Sequence, residues 1–253
     1  MYYRKEIIDK LNQITAKNQG IVGENPTEWA KKMLIKHSYN LPNRVLDRKG
    51  LKLMCADENI PNMYCYLNIM AWGGQGNGPG GMKNALIPWE EHYDDLDSKI
   101  TVLRKGEISR TEAFNLFCDD GRVKGLGPAY FTKLLYFFDS DNSKKMYIMD
   151  QWTTKPILML TGRNIIRHVD SGPTSFNTGK NYELFCAIIE DLQEPLNLSD
   201  GSSVEEKLFS VGSIKKNPRG EFRQFVVDYW SKYKPSEKYS EELVDELIER
   251  FNH

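Results

Sequence analysis

Two features of this chain combine residue types and spacing that could do chemistry: the turn Gly125-Leu126-Gly127 and the acidic side chain of Asp150. Two glycines around one residue favour a tight turn with outward-facing amides. The helix predicted to begin at Pro128 adds the positive end of its dipole. Such amides can bind a phosphate oxygen without reading a base sequence. The alternative is a plain turn between two helices, whose glycines serve backbone geometry only.

Asp150 follows three apolar residues, 147–149, and precedes Gln151, so we expect it to cap a helix that starts there. A carboxylate in this position could also orient a nucleophile or stabilise positive charge on a sugar.

Length and composition describe an ordinary globular protein. The 253 residues are 40% hydrophobic and 27% charged, which gives room for one large domain or two small ones. We expect a single domain over 1–253, with possible lobes formed by 1–80 plus 170–253 and by 81–169. No apolar run is long enough to span a membrane, and the start lacks a secretory signal, so we expect a cytoplasmic protein.

The charge distribution is more informative than the net charge of −1. Residues 122–167 carry eight Lys and Arg against three Asp, whereas 86–120 carry four against nine Asp and Glu. A protein with one basic face can bind phosphates despite a neutral total, although solvated helix faces also carry such runs. The four cysteines form no closely spaced pair, so we expect buried thiols and no metal site.

The elements that must position these residues are predicted to be mostly helical, since period-2 alternation is scarce along the chain. Caps are clearest at Asn25-Pro26 and at Ser109 with Glu112. The glycine-rich segment 73–82 is expected to be irregular, serving as a flexible connection or as a wall open to a ligand. A loop is expected at 171–175, and a helix or extended piece at 43–54. Periodicity and caps predict helices over 1–16, from Asn25, 61–72, 88–104, 110–118, from Pro128, 151–160, 182–192, from Ser203, 221–233 and 240–251.

The segment from Val123 to Ala129, followed by Asp150, resembles the helix-hairpin-helix motif with a downstream aspartate of the DNA base-excision glycosylase superfamily. That superfamily includes 8-oxoguanine DNA glycosylase and endonuclease III. The superfamily resemblance covers about 35 residues by the spacing of its motif. Phe131-Thr132-Lys133 and residues 147–152 look closest to a bacterial 8-oxoguanine-glycosylase-like branch. A looser likeness to that branch extends over 71–74 and 182–233.

The resemblance implies an all-α fold, with two helical lobes flanking a cleft that receives a base turned out of double-stranded DNA. It implies a DNA N-glycosylase without metal or cofactor, which we expect to act as a monomer, with Asp150 as the catalytic carboxylate. The phosphate-binding hairpin would comprise Lys124, Gly125, Leu126 and Gly127. The stacking and polar groups of a base pocket, each of which could equally belong to the core, would be Trp72, Gln75, Phe131, Gln151 and Trp152. Residues 219–223 could touch DNA or form a solvated helix start.

Two departures from the superfamily affect the chemistry. Bifunctional members carry a nucleophilic lysine at the position of Ala129, whereas here Lys133, one helical turn on, is the available amine. An amine held out of water is a usable nucleophile. The alternatives for Lys133 are a phosphate contact or plain solvation. The four-cysteine iron–sulfur loop of the endonuclease III branch is missing. The function implied is removal of an 8-oxoguanine-like base, with lyase activity through Lys133 left open. The alternatives are a glycosylase that removes phage-modified bases such as glucosylated hydroxymethylcytosine, in antiphage defence, and a non-catalytic DNA-binding protein.

Overall fold

The computed structural model describes residues 1–14, 23–74, 81–139, 145–209 and 220–252. In these ranges the chain forms thirteen α-helices and a single two-stranded antiparallel hairpin, which confirms the all-α prediction. None of the described helices is long and apolar enough to cross a membrane. All four cysteines are buried free thiols, as predicted.

The chain divides into two compact units, each with its own core. The first unit joins Met1–Gln19 to Tyr147–His253, and the second is Gly20–Met146. These boundaries differ from the lobes expected at 80 and 169. The physical reason is the packing of the central helix over 62–72 of the second unit, which contacts the helices both before and after it.

The second unit holds the predicted hairpin. Its helices begin where caps were predicted: the Asn25 side chain accepts hydrogen bonds from the Thr27 and Glu28 amides, and Ser109 forms a capping box with Glu112. The elements of this unit are α2 (Pro26–Lys32), α3 (Arg48–Ala56), α4 (Asn62–Trp72), α5 (Gly81–Glu90), α6 (Tyr93–Lys105), α7 (Arg110–Asn115), a 3-10 turn (Asp119–Gly121) and α8 (Pro128–Phe137).

The first unit is built around the helix that Asp150 caps. That helix packs against the amino-terminal helix and three carboxyl-terminal ones. The elements of this unit are α1 (Lys5–Gln13), α9 (Gln151–Thr161), β1 (His168–Val169), β2 (Gly172–Pro173), α10 (Gly179–Asp191), α11 (Gly201–Phe209), α12 (Glu221–Tyr233) and α13 (Glu241–Asn252).

Four local predictions were wrong. Helix α5 already begins at Gly81, inside the run expected to be irregular. The single helix expected over 88–104 is two helices, because α5 ends at Glu90 and α6 begins at Tyr93. The segment expected to be a loop at 171–175 supplies β2, paired with β1. Helix α11 begins two residues before Ser203, and the Asp200 carboxylate accepts the Ser203 amide at 2.9 Å, so the cap is Asp200.

Candidate functional site

The helix-hairpin-helix consists of α7, the 3-10 turn, the glycine turn and α8. Gly125 has a φ of +89°, in the left-handed region that favours glycine. A Cβ at this position would lie 2.6 Å from the carbonyl oxygen of Asn84, so the turn also packs closely against α5. Both the conformation and the packing therefore require glycine at position 125.

The hairpin offers two backbone amides at the start of α8. The Leu126 amide is used within the turn, since it donates to the Val123 carbonyl at 3.1 Å. Within the described part of the chain, the amides of Gly127 and Ala129 donate no hydrogen bond, and Pro128 between them has no N–H. A Cβ added at Gly127 would meet no atom of the described residues within 4 Å, apart from its chain neighbours. An acceptor such as a phosphate oxygen can approach there, at the positive end of the α8 dipole.

Of the other residues predicted for the phosphate site and base pocket, Lys124 is exposed beside the turn, whereas Phe131 is 1% exposed. The Phe131 ring stacks on Phe117 with centroids 5.2 Å apart and meets Phe114 edge-on at 4.9 Å. These contacts hold α8 against the first half of the motif. The structure therefore uses Phe131 to pack the hairpin.

Lys133 is enclosed within the second unit and is 6% exposed. Its Nζ donates to the carbonyl oxygen of Ala129, one turn earlier, and lies 5.2 Å from the centroid of the Tyr130 ring. Its aliphatic chain packs on Gly73, where an added Cβ would lie 2.7 Å from Lys133 Cδ. Helical side chains lean toward the amino terminus, so the Lys133 amine reaches the level of residue 129.

Asp150 occupies the cap position that the sequence predicted, in the first unit. It is 8% exposed, and its Oδ1 accepts hydrogen bonds from the amides of Trp152, at 2.7 Å, and Thr153, at 3.2 Å. The Asp150 amide donates in turn to Thr153 Oγ1 at 3.0 Å. Among the residues described, none donates to the second carboxylate oxygen, Oδ2. The cap thus uses one oxygen of the carboxylate and leaves the other for a ligand.

The backbone segment that leads into Asp150 is held in place by Tyr182, a tyrosine on α10. The Tyr182 hydroxyl donates to the Tyr147 carbonyl at 2.8 Å, and the Tyr147 amide donates to the same hydroxyl at 3.1 Å. Residues 147–149 are all buried. The backbone leading into the cap is therefore held by side-chain hydrogen bonds as well as by packing.

Trp152 is half-buried beside Asp150 and contacts an arginine on α12. The guanidinium carbon of Arg223 lies 4.7 Å from the Trp152 ring centroid and 4.0 Å from that of Phe209. Burial lowers the pKa of Arg223 to about 10, against an opposing effect of the Asp150 charge. Arg223 therefore stays protonated at neutral pH. The sequence hinted at it only through the basic stretch 219–223, of which 219 lies outside the described residues.

The remaining pocket candidates are spread over both units. Gln151 is half-exposed at the start of α9, 3.4 Å from where a Cβ on Gly172 would lie. Trp72 is 5% exposed in the other unit, where its ring meets Phe137 edge-on at 5.1 Å. Gln75 lies outside the described residues.

One further lysine was not predicted from the sequence. Lys207 on α11 is 7% exposed, and burial lowers its pKa. It belongs to the same unit as Asp150. Its helical neighbours in sequence are mixed in polarity, so periodicity alone could not distinguish it from a solvated lysine.

An all-α fold with a glycine hairpin and a buried, helix-capping aspartate downstream fits the pattern of the helix-hairpin-helix DNA glycosylases. A family model described as "Putative 8-oxoguanine DNA glycosylase OGG-like protein" matches residues 16–209, well over half of the chain. The chain belongs to this family. Searches of curated proteins and of solved structures gave no match.

Proposed function

We propose that this protein is a DNA glycosylase that turns a damaged or modified base, of the 8-oxoguanine kind, out of the duplex and cleaves its N-glycosidic bond. The observation that carries the proposal is the Asp150 carboxylate. It is buried and fixed by two amides on Oδ1, while Oδ2 accepts no hydrogen bond from the described residues. Family membership supports the reaction class and the choice of 8-oxoguanine as first substrate.

In this proposal Asp150 acts on the sugar. When the N-glycosidic bond breaks, its electron pair leaves with the base, which takes up a proton, and positive charge develops on the sugar ring. A fixed carboxylate opposes that charge and accepts a proton from the water that bonds to C1′. The products are a free base and an abasic site. The unbonded amides of Gly127 and Ala129 would bind a DNA phosphate.

A second mode of reaction replaces the water by an amine. The amine nitrogen bonds to C1′ as the base leaves, and loss of a proton and ring opening give a Schiff base that borohydride reduces to a stable adduct. Lys133 is our proposed amine, because its Nζ contacts the carbonyl of residue 129, where bifunctional relatives carry their lysine. Lys207 is the comparison, as a buried lysine of lowered pKa.

The test is a base-release panel in which the full chain meets duplexes that each carry one altered base. The panel includes 8-oxoguanine and, for the phage-type alternative, glucosylated hydroxymethylcytosine. We expect release from an 8-oxoguanine duplex and none with Asp150→Asn. Absence of release from every duplex would overturn the proposal. If duplex binding then persists and falls with Lys124→Gln but not with Asp150→Asn, the protein is a non-catalytic DNA-binding module.

Borohydride trapping separates the two modes. An adduct lost in Lys133→Gln but retained in Lys207→Gln assigns the amine to Lys133. The reverse pattern refutes Lys133 as the nucleophile. Base release without any adduct assigns hydrolysis by water alone and refutes the lyase mode.

A further inference from the structure

Arg223 is a half-buried cation whose side chain is fixed but whose hydrogen-bonding capacity is largely unused by the described residues. Its guanidinium lies between the rings of Phe209 and Trp152, at 4.0 and 4.7 Å from their centroids, and its Nε donates to the Phe209 carbonyl at 2.7 Å. Flat guanidinium groups stack on aromatic faces in this way. The side chain is thus pre-organised before any ligand binds.

Within the part of the chain that the structure describes, the other end of the guanidinium has no partner. Its Nη2 is shielded from solvent and donates to no described acceptor, and no described carboxylate lies within ion-pair distance of Arg223. A buried donor without an acceptor costs free energy, and a buried charge without a counter-charge costs more. An unsatisfied group of this kind in a native protein calls for a functional explanation.

The chemistry of the missing partner follows from charge and shape. An acceptor must offer oxygen atoms to a planar fork of N–H donors, and a negative charge compensates the cation where a neutral carbonyl does not. A phosphodiester meets both conditions. The guanidinium contacts Trp152, which is two residues from the candidate catalytic Asp150, and the charge of Asp150 opposes the lowering of the Arg223 pKa.

We propose that Arg223 binds the phosphodiester flanking the nucleotide on which Asp150 acts. This assignment rests on the proposed function, because it takes DNA as the ligand. It gives the unit that contains Asp150 a phosphate contact of its own, in addition to the hairpin amides of the other unit. Arg223 fixes the position of the sugar relative to the carboxylate and takes no part in bond cleavage.

The test measures binding, so that it does not depend on catalysis. The probe is a duplex with a single tetrahydrofuran abasic analogue, which has no base to release, titrated by fluorescence anisotropy at several salt concentrations. We expect Arg223→Gln to bind about tenfold to a hundredfold more weakly, with a salt slope smaller by about one. Arg250→Gln is the matched control, since Arg250 is exposed and paired with Glu246, and it should match wild type.

Single neutral methylphosphonate linkages locate the contact. One linkage flanking the abasic analogue should weaken wild-type binding as much as Arg223→Gln does, and should not weaken Arg223→Gln further. This scan on the wild-type protein holds even if Arg223→Gln folds poorly. Arg223→Lys should keep the salt slope while losing part of the affinity, because it retains the charge without the fork.

Several outcomes overturn the assignment. Arg223→Gln could bind the abasic duplex like wild type, or its loss could add fully to that of every neutral linkage. A loss confined to duplexes that carry a base, tested with a non-cleavable 2′-fluoro nucleotide, assigns Arg223 to the base edge instead. If wild type binds no duplex at low salt, the DNA proposal itself fails. If the protein is inactive in the base-release panel but still binds DNA through Arg223, only the proposed glycosylase activity is refuted.

Discussion

Substitution of Asp150 separates the two roles that one carboxylate can have. Both capping bonds go to Oδ1, at 2.7 and 3.2 Å, so an asparagine keeps the acceptor and replaces Oδ2 by an amide. An alanine removes the cap and the charge together. Comparing Asp150→Asn with Asp150→Ala therefore distinguishes the loss of a helix cap from the loss of a negative charge.

We expect the two variants to differ in stability but to lose the same amount of rate. Loss of the cap in Asp150→Ala should lower the free energy of unfolding by about 1 kcal/mol, or about 2–4 °C in melting temperature for a chain of this size. Asp150→Asn should stay within about 0.5 kcal/mol of wild type, since asparagine caps nearly as well and only the charge–dipole interaction is lost. A carboxylate about 4 Å from a developing cation contributes about 4 kcal/mol at an effective dielectric constant of about 20. Both variants should therefore lose about a thousandfold in rate.

The assay combines single-turnover base release, with enzyme in excess, and thermal unfolding followed by circular dichroism. Equal losses of rate with unequal losses of stability support the reasoning. It is refuted if Asp150→Asn keeps more than a tenth of the wild-type rate, because the carboxylate is then only a cap. Equal destabilisation by asparagine and alanine would contradict the assignment of the cap to Oδ1.

Three further predictions concern stability. Gly125→Ala should lower the free energy of unfolding by about 1–3 kcal/mol, because its φ is +89°. In denaturant titration Gly127→Ala, with open space around it, should stay within about 0.5 kcal/mol. Burial lowers the pKa of His168 from 6.5 to about 4, so stability falls as pH drops through that window. His168→Gln should remove this loss of up to about 3 kcal/mol, measured as unfolding free energies at pH 7 and pH 4. Burial raises the pKa of Asp139, which disfavours the charged form. Asp139→Asn should therefore unfold at higher denaturant than wild type at pH 7, with the advantage vanishing as pH falls to the ordinary Asp pKa of 3.8.

Three helix starts were predicted correctly because their caps are local. At Asn25 and Ser109 the side chain that accepts the orphan amides lies within three residues of the donors it serves. The Asp150 cap follows the same rule, with Thr153 as its reciprocal partner. These caps could be predicted from the sequence because they form without any long-range contact.

The predictions were wrong where tertiary packing, rather than the local sequence, determines the structure. Gly81 begins α5 although glycine disfavours helix, since α5 packs against α6 in the tertiary structure. The Arg223 contact with Trp152 joins residues 71 positions apart. No periodicity or cap relates these two side chains, so the contact and the unused donor appear only once α9 and α12 are packed together.

The departure at Ala129 shows why a motif should be judged by where its functional atom lies. Matched position by position, the chain lacks the lysine of the bifunctional glycosylases and would count as a hydrolase only. Yet the Lys133 amine contacts the Ala129 carbonyl, because a long side chain on a helix leans back over the preceding turn. Gly73 makes room for the aliphatic stem along this path. A substitution such as Gly73→Ala should therefore displace the amine while leaving Lys133 itself intact. If Lys133 forms the borohydride adduct, trapping should fall in Gly73→Ala, and unchanged trapping would show that the amine's position at residue 129 is not what enables the reaction.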